Sequence, residues 1–115
     1  MAEGRLSRLS LEFAVRIVEL VKDLNARHEW VISRQICRSG TSIGANIREA
    51  DYAASGADFV LRLRVSLKEA NETGYWLELL FRTDYIDKEL FDKLSAECAT
   101  LRVLLIKSIN TANGD

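Results

Sequence analysis

Apolar residues recur at intervals of three and four along almost the whole chain, which is the spacing of one face of an α-helix. Four such stretches follow one another, separated by short polar or glycine-containing segments. They predict helices at about residues 8–26, 30–54, 56–83 and 87–111, within one domain that spans residues 1–115. Because short connections force consecutive helices to run antiparallel, we predict an all-α fold, an antiparallel up-down-up-down four-helix bundle.

Three of the predicted helix starts carry side chains that can accept a hydrogen bond from a free backbone N–H group. We expect Ser7 or Ser10 to cap the first helix, Ser55 the third and Asp87 the fourth. Serine and aspartate are favoured at this position because their short side chains reach the N–H groups of the first turn.

The predicted second helix is unusual because its middle consists almost entirely of small residues. These are Ser39, Gly40, Thr41, Ser42, Gly44 and Ala45. Two interpretations are open: the small side chains let a neighbouring helix approach closely, or Gly40 divides the segment into a helix-turn-helix. The apolar spacing keeps its phase across Gly40, whereas a turn would normally reset it, and this favours one continuous helix.

The predicted third helix has apolar residues on two sides. One stripe runs from Phe59 to Phe81, and the second contains Leu61, Val65, Trp76, Leu79 and Leu80. At about 100° per residue the two stripes lie about 150° apart, whereas a helix in an isolated bundle needs only one apolar face. Because extended exposed apolar surface is rare on monomers, we predict that the second stripe is an oligomer interface with further copies of the chain.

Composition excludes several other classes of protein. The chain has no proline and 48% hydrophobic residues, which fits neither a disordered chain nor a membrane protein. Its longest apolar runs are far shorter than the roughly 20 residues that cross a bilayer, and its start has no features of a signal peptide. We therefore expect a cytoplasmic protein with no membrane partner, in which Cys37 and Cys98 are buried and reduced.

Residues for catalysis or for binding a cofactor are scarce. Di-iron bundles use Glu-x-x-His pairs, but the one histidine, His28, lies in a polar connection, and neither Glu69 nor Glu72 has a histidine at the required spacing. Cys37 and Cys98 are far apart in sequence and have no neighbouring zinc ligand. The glycine-containing part of helix two lacks the lysine of a phosphate-binding loop. We expect no enzymatic activity, no metal or other cofactor and no small-molecule substrate.

The formal net charge of −1 is unevenly distributed along the chain. Residues 1–68 carry 11 Lys and Arg against 8 Asp and Glu, whereas residues 69–115 carry 5 against 9. Two interpretations of the basic residues in helices two and three are open. They pair with surface carboxylates such as Glu49, Asp51, Asp58 and Glu69, or they bind nucleic-acid phosphates, which repeated copies in an oligomer would strengthen. The candidates are Arg34, Arg38, Arg48, Arg62, Arg64 and Lys68.

Helix two also carries a motif, Gln35-x-x-Arg38-Ser39-x-x-Ser42-Ile43-x-x-Asn46-Ile47-x-Glu49, which is followed by Asp58-Phe59, Leu63, Ser66 and Glu69. This pattern resembles the family of four-helix bundle proteins encoded in intervening sequences of bacterial 23S ribosomal RNA genes. The accessory variability protein of diversity-generating retroelements is a relative. The resemblance spans about residues 8–110. Ala50 stands where the family commonly has glycine, and this chain is slightly acidic whereas the retroelement relatives are strongly basic.

The resemblance implies a ring-shaped homo-oligomer, typically a homopentamer, with no enzymatic activity and with RNA or a ribonucleoprotein as partner in some relatives. Among the matched residues we assign Arg38 to RNA, and we expect an inter-helix polar network of Ser39, Ser42, Asn46, Ser66 and Glu69. Our hypothesis is a non-enzymatic oligomeric binding or scaffolding subunit for structured RNA. The alternative is a protein–protein interaction module with no nucleic-acid binding.

Overall fold

Four long α-helices make up most of residues 4–114, the part of the chain that the computed structural model describes. They are α1 (Gly4–Ala26), α2 (Val31–Ala50), α3 (Gly56–Arg82) and α4 (Lys88–Ala112), and no strand occurs within this range. Consecutive helices pack together and α1 also contacts α4, so that the four surround one core in a body of 45 × 21 × 19 Å.

Side-chain positions establish that neighbouring helices run antiparallel. Gly40 of α2 lies against Ile17 of α1, whereas Gly44, one turn later, lies against Ser10, seven residues earlier. The same reversal of order holds between α2 and α3 and between α3 and α4. The described helices therefore form an up-down-up-down bundle.

The start of α1 differs from the prediction. The helix already includes Gly4, so Ser7 and Ser10 lie inside it, and Ser10 Oγ donates a hydrogen bond to the Ser7 carbonyl at 3.0 Å instead of capping the helix. The reason is Leu6, which is fully buried and extends the apolar face of α1 beyond the predicted start.

The end of α2 also differs from the prediction, because the helix stops at Ala50 and not near residue 54. Ser55 caps α3 as expected, accepting from the Asp58 N–H at 3.1 Å, and the Asp58 carboxylate in turn accepts from the Ala54 N–H at 3.1 Å. Because this reciprocal pair uses the Ala54 N–H group at the start of α3, Ala54 does not continue α2. Asp87 caps α4 as expected, accepting a first-turn N–H at 2.9 Å.

Both α1 and α3 end at a left-handed residue that is not glycine. His28 has a φ of 64° and Asp84 a φ of 65°. In each case the next residue donates its N–H to the carbonyl five residues earlier at 2.9 Å, as in a Schellman motif. Histidine and aspartate adopt this conformation more readily than most other non-glycine residues. The two caps reverse the chain sharply into the following helix.

Leu80 lies in the core, which corrects its assignment to the oligomer interface. Its side chain is fully buried within its own chain, as is that of Leu77. Leu80 lies three positions after Leu77, which places the two side chains about 60° apart around the helix. Because a bundle helix buries a stripe of 100° or more, Leu80 still falls within the buried face. The predicted interface residues that remain at least partly exposed are Leu61, Val65, Trp76 and Leu79.

Gly40 fixes how closely α1 and α2 approach each other. The α2 helix continues through it, so the helix-turn-helix interpretation is wrong. A Cβ atom at this position would lie 2.9 Å from Ile17 Cγ2 and 3.0 Å from Ile17 Cγ1. Ile17 is fully buried and branched at Cβ, so its side chain has little freedom to move away.

We expect Gly40→Ala to lower the free energy of unfolding by about 1–3 kcal/mol, because the added methyl group overpacks the α1–α2 contact. Gly74→Ala in α3 is the matched control, since a Cβ atom there would meet nothing within 4 Å. That control should raise the free energy of unfolding by up to about 1 kcal/mol. Urea denaturation followed by circular dichroism measures both changes. A Gly40→Ala variant as stable as the wild type would contradict the close approach.

Candidate nucleic-acid interface

Buried hydroxyl groups connect α2 and α3 inside the bundle. Ser66 Oγ donates to the Ile43 carbonyl at 2.8 Å, and Thr73 Oγ1 hydrogen-bonds to Ser39 Oγ at 2.9 Å. Ser39, Ser66 and Thr73 are all fully buried. Because a buried hydroxyl group costs stability unless it is paired, these bonds favour one register of α2 against α3.

The polar network has a different membership from the one predicted. Ser42 Oγ donates to the Arg38 carbonyl at 2.6 Å, and Asn46 Nδ2 donates to the Ser42 carbonyl at 2.9 Å, so both side chains bond within α2. The carbonyl four residues earlier in a helix is always within reach of such a donor. Thr73 was missed, although it lies seven residues after Ser66 and thus on the same face of α3.

Arg38 is bound by two carboxylates of α3. Its Nη1 donates to Glu69 Oε2 at 3.1 Å, and its Nη2 donates to Glu72 Oε2. The Trp76 indole N–H donates to the same Glu72 oxygen at 3.0 Å. The indole hydrogen bond, followed by that of Arg38, holds the pKa of Glu72 below its usual range. The hydrogen bond to Glu72 also raises the pKa of Arg38.

This cluster gives Arg38 a structural role in place of the RNA contact assigned to it. A phosphate could reach this guanidinium only by displacing two carboxylates. Surface pairing also accounts for Arg62, whose Nε lies 4.0 Å from Asp58 Oδ1. Glu72 and Trp76 were not predicted as partners of Arg38. Glu72 lies three residues after Glu69, and Trp76 lies four residues after Glu72. This helical spacing is the sequence signal that places the three side chains together.

Four of the six candidate cations have no ion-pair partner within residues 4–114: Arg34, Arg48, Arg64 and Lys68. Arg34 and Arg48 line two separate pockets in the groove where α1 and α2 meet, one toward each end of α2. The pocket at Arg34 has a volume of about 390 Å³ and the pocket at Arg48 about 420 Å³. Arg64 and Lys68 are exposed one turn apart on α3. The field of Lys68 contributes weakly to the lowered pKa of Glu72.

The cysteines and carboxylates form no metal-binding cluster in the described range. No three His, Cys, Asp or Glu side chains of residues 4–114 are close enough to hold a metal ion. Burial raises the pKa of Cys98 to about 11, and its Sγ donates to the Ala70 carbonyl at 3.2 Å. This thiol is therefore protonated at neutral pH and is a poor nucleophile. Cys37 is a free, partly buried thiol at the Arg34 end of the groove.

None of the described helices combines the length and the apolar character that crossing a membrane requires.

Known proteins resemble the chain in both sequence and fold. The model of the family described as 23S rRNA-intervening sequence protein matches residues 4–107. The chain belongs to this family. A protein of unknown function from the S23 ribosomal protein family of Bacteroides thetaiotaomicron is 56% identical to it. That similarity covers 90% of this chain and 97% of the other, with a TM-score of 0.89. No curated protein matches.

As a 23S rRNA-intervening sequence protein, the chain has a family name that links it to ribosomal RNA, while its solved relative has no known function. The six candidate cations divide into Arg38 and Arg62, which pair with carboxylates, and four that form no ion pair within residues 4–114.

We expect Glu72 to make the stability of the bundle depend on pH. Because its pKa is lower in the folded than in the unfolded state, its contribution is complete above the ordinary glutamate pKa of about 4.3 and is lost as the pH falls through the lowered value. Trp76→Phe should raise the pKa of Glu72, measured by carboxyl carbon NMR, because it removes the indole donor. Glu78→Gln, on the exposed surface of α3, is the control and should leave the Glu72 titration unchanged. An unaltered Glu72 pKa in Trp76→Phe would contradict the role of the indole.

Proposed function

We propose that this 23S rRNA-intervening sequence protein is a non-enzymatic subunit that assembles with further copies of itself and binds structured RNA. The observation that carries the proposal is that four of the six candidate cations, Arg34, Arg48, Arg64 and Lys68, are exposed and form no ion pair within residues 4–114. Each can approach a phosphate without first breaking an ion pair. The family's link to ribosomal RNA supports RNA as the source of those phosphates.

The small number of available cations favours an assembly over a single chain. One subunit has a net charge of −1, so its attraction to RNA would come from local patches and would be weak. Copies arranged around an axis repeat each patch, and contacts on one RNA molecule then add. The form that we propose is a ring-shaped homo-oligomer, with a pentamer favoured, in the bacterial cytoplasm.

Exposed apolar side chains support self-association and extend beyond α3. Leu61 of α3 is 56% exposed, and α1 presents Leu11, Val15 and Val18 on the side away from the core, spaced four and three residues apart. Val103 of α4 is 64% exposed. A strip of this kind on α1 is the length of two helical turns, which suits packing against another helix.

The α1 strip also favours a second candidate function, a protein–protein interaction module with no nucleic-acid binding. In that case the partner covers Leu11, Val15 and Val18, and the exposed cations serve only to keep the surface hydrated. RNA binding and its dependence on salt separate the two functions.

We expect a fluorescently labelled RNA hairpin to bind with an affinity that falls steeply as the salt concentration rises, because bound phosphates release counterions. Arg64→Ala should reduce the slope of log affinity against log salt by about 1. Arg82→Ala is the matched control, since this exposed arginine of α3 is already paired with Glu78 at 3.1 Å. Fluorescence anisotropy measures both variants. The absence of binding at low salt would end the RNA proposal and leave the interaction module.

We expect light scattering coupled to size-exclusion chromatography to give a mass several times the 13.0 kDa of one chain. Leu61→Glu should lower that mass, because a buried unpaired carboxylate is costly at an interface. Tyr52→Glu is the control, since Tyr52 is 84% exposed in the α2–α3 connection and lies outside the apolar strips. A wild-type mass of 13.0 kDa at micromolar concentration would rule out the assembly.

A further inference from the structure

Trp30 is exposed, and its side chain takes part neither in the core nor in capping α2. It stands immediately before α2, is 54% exposed and makes no capping hydrogen bond. The capping acceptor at this end is Glu29, whose Oε1 takes the Ser33 N–H at 2.8 Å. The His28 ring meets the indole edge-on, with 5.2 Å between ring centroids. The indole is thus restrained on one side while more than half of the residue faces solvent.

The indole forms one wall of the groove between α1 and α2. This end has a volume of about 390 Å³, and its lining residues are Val21 and Asn25 of α1, Trp30 at the N-cap position, and Ser33, Arg34, Cys37 and Arg38 of α2. Ser33 Oγ donates to Asn25 Oδ1 at 2.8 Å, which fixes the amide and leaves its NH₂ group as a donor. A concave site of this volume with an aromatic wall and a few fixed polar groups suits a small planar ligand.

Arg34 supplies the only lining charge that residues 4–114 leave unneutralised. Arg38 is already bound by Glu69 and Glu72. Among nearby carboxylates, Asp23 is paired with Arg27 at 2.7 Å, and Glu29 is buried against the start of α2. Glu29 thus already occupies the positive end of the α2 dipole, so an anion entering the groove would bind Arg34 and not the helix terminus.

We propose that this end of the groove binds one unpaired nucleotide of RNA, with its base stacked on the Trp30 indole and its phosphate on the Arg34 guanidinium. Trp30, at the N-cap position, and Arg34, early in α2, line the same pocket, so a single nucleotide can touch both. Stacking on an aromatic ring beside a cation is the usual way in which proteins hold single-stranded bases. The Asn25 amide is placed to donate to the base edge. This inference rests on the proposed RNA binding and names its site.

The two tryptophans of the chain allow the site to be tested directly. Trp76→Phe leaves Trp30 as the sole tryptophan, and its fluorescence should be quenched by a single-stranded oligoribonucleotide but not by the same sequence in a duplex. Trp30→Ala should weaken binding of the single strand by about 10-fold or more, whereas Trp30→Phe should retain most of the affinity because it keeps an aromatic face. Arg34→Ala should lower the salt slope by about 1. Tyr52→Ala, which removes an exposed aromatic ring elsewhere, is the control and should leave the affinity unchanged.

Three results would contradict the proposed site, and they differ in whether the proposed RNA binding survives. If the wild type binds RNA with a steep salt dependence while Trp30→Ala binds equally well, the site is wrong and the proposed function survives. If no RNA binds at low salt, both are wrong. If the Trp30 emission changes with protein concentration and not with RNA, the indole lies in a contact between copies of the chain.

Discussion

The packing of the bundle depends on the small side chains of α2, which let its backbone lie close to both α1 and α3. On the α1 side, Gly40 lets Ile17 pack almost against the helix backbone. On the α3 side, small hydroxyl residues such as Ser39 fit inside the core and find hydrogen-bond partners there. A larger side chain on either side would force the helices apart. The bond of Ser66 in addition disfavours sliding of α3 along α2, because sliding would separate its buried hydroxyl group from the Ile43 carbonyl.

The same packing divides the basic surface into two parts with opposite properties. Arg34 and Arg38 are one turn apart on α2, and helical spacing places both on the same face of that helix. Arg38 lies where α3 presents two carboxylates, and its charge is cancelled. Arg34 lines a groove toward α1, where the nearby carboxylates are already engaged. Of the six candidate cations, the four that form no ion pair within residues 4–114 thus lie between α1 and α2 or on the exposed side of α3.

Membership of the 23S rRNA-intervening sequence protein family agrees with this division of the surface but does not by itself identify a ligand. The proposed function combines two features that a monomeric bundle would not need: apolar strips on the outside, and cations without partners. An assembly of several copies would cover the strips and repeat the cations. Self-association and RNA binding therefore support each other physically.

The sequence by itself determined the number and order of the helices, the continuity of α2 through Gly40 and the caps at Ser55 and Asp87. These are properties of one helix, or of one turn, and the spacing of apolar and capping residues specifies them locally. It also pointed to Arg38 and named Glu69 among the carboxylates that pair with the basic residues, but it did not identify Glu72. Only the tertiary structure decided that Glu69 and Glu72, more than 30 residues away, neutralise that charge.

The tertiary structure likewise decided which apolar residues are covered. Helical spacing places Leu80 near the edge of a stripe, and whether an edge is buried depends on where the next helix lies. In the same way, Leu11 and Val18 fit the predicted apolar face of α1, yet both are exposed because that face is wider than its neighbours can cover. Periodicity gives the angle of a side chain on its own helix. The position of the neighbouring helix comes from close packing and buried hydrogen bonds between distant segments, and a single-helix pattern does not contain it.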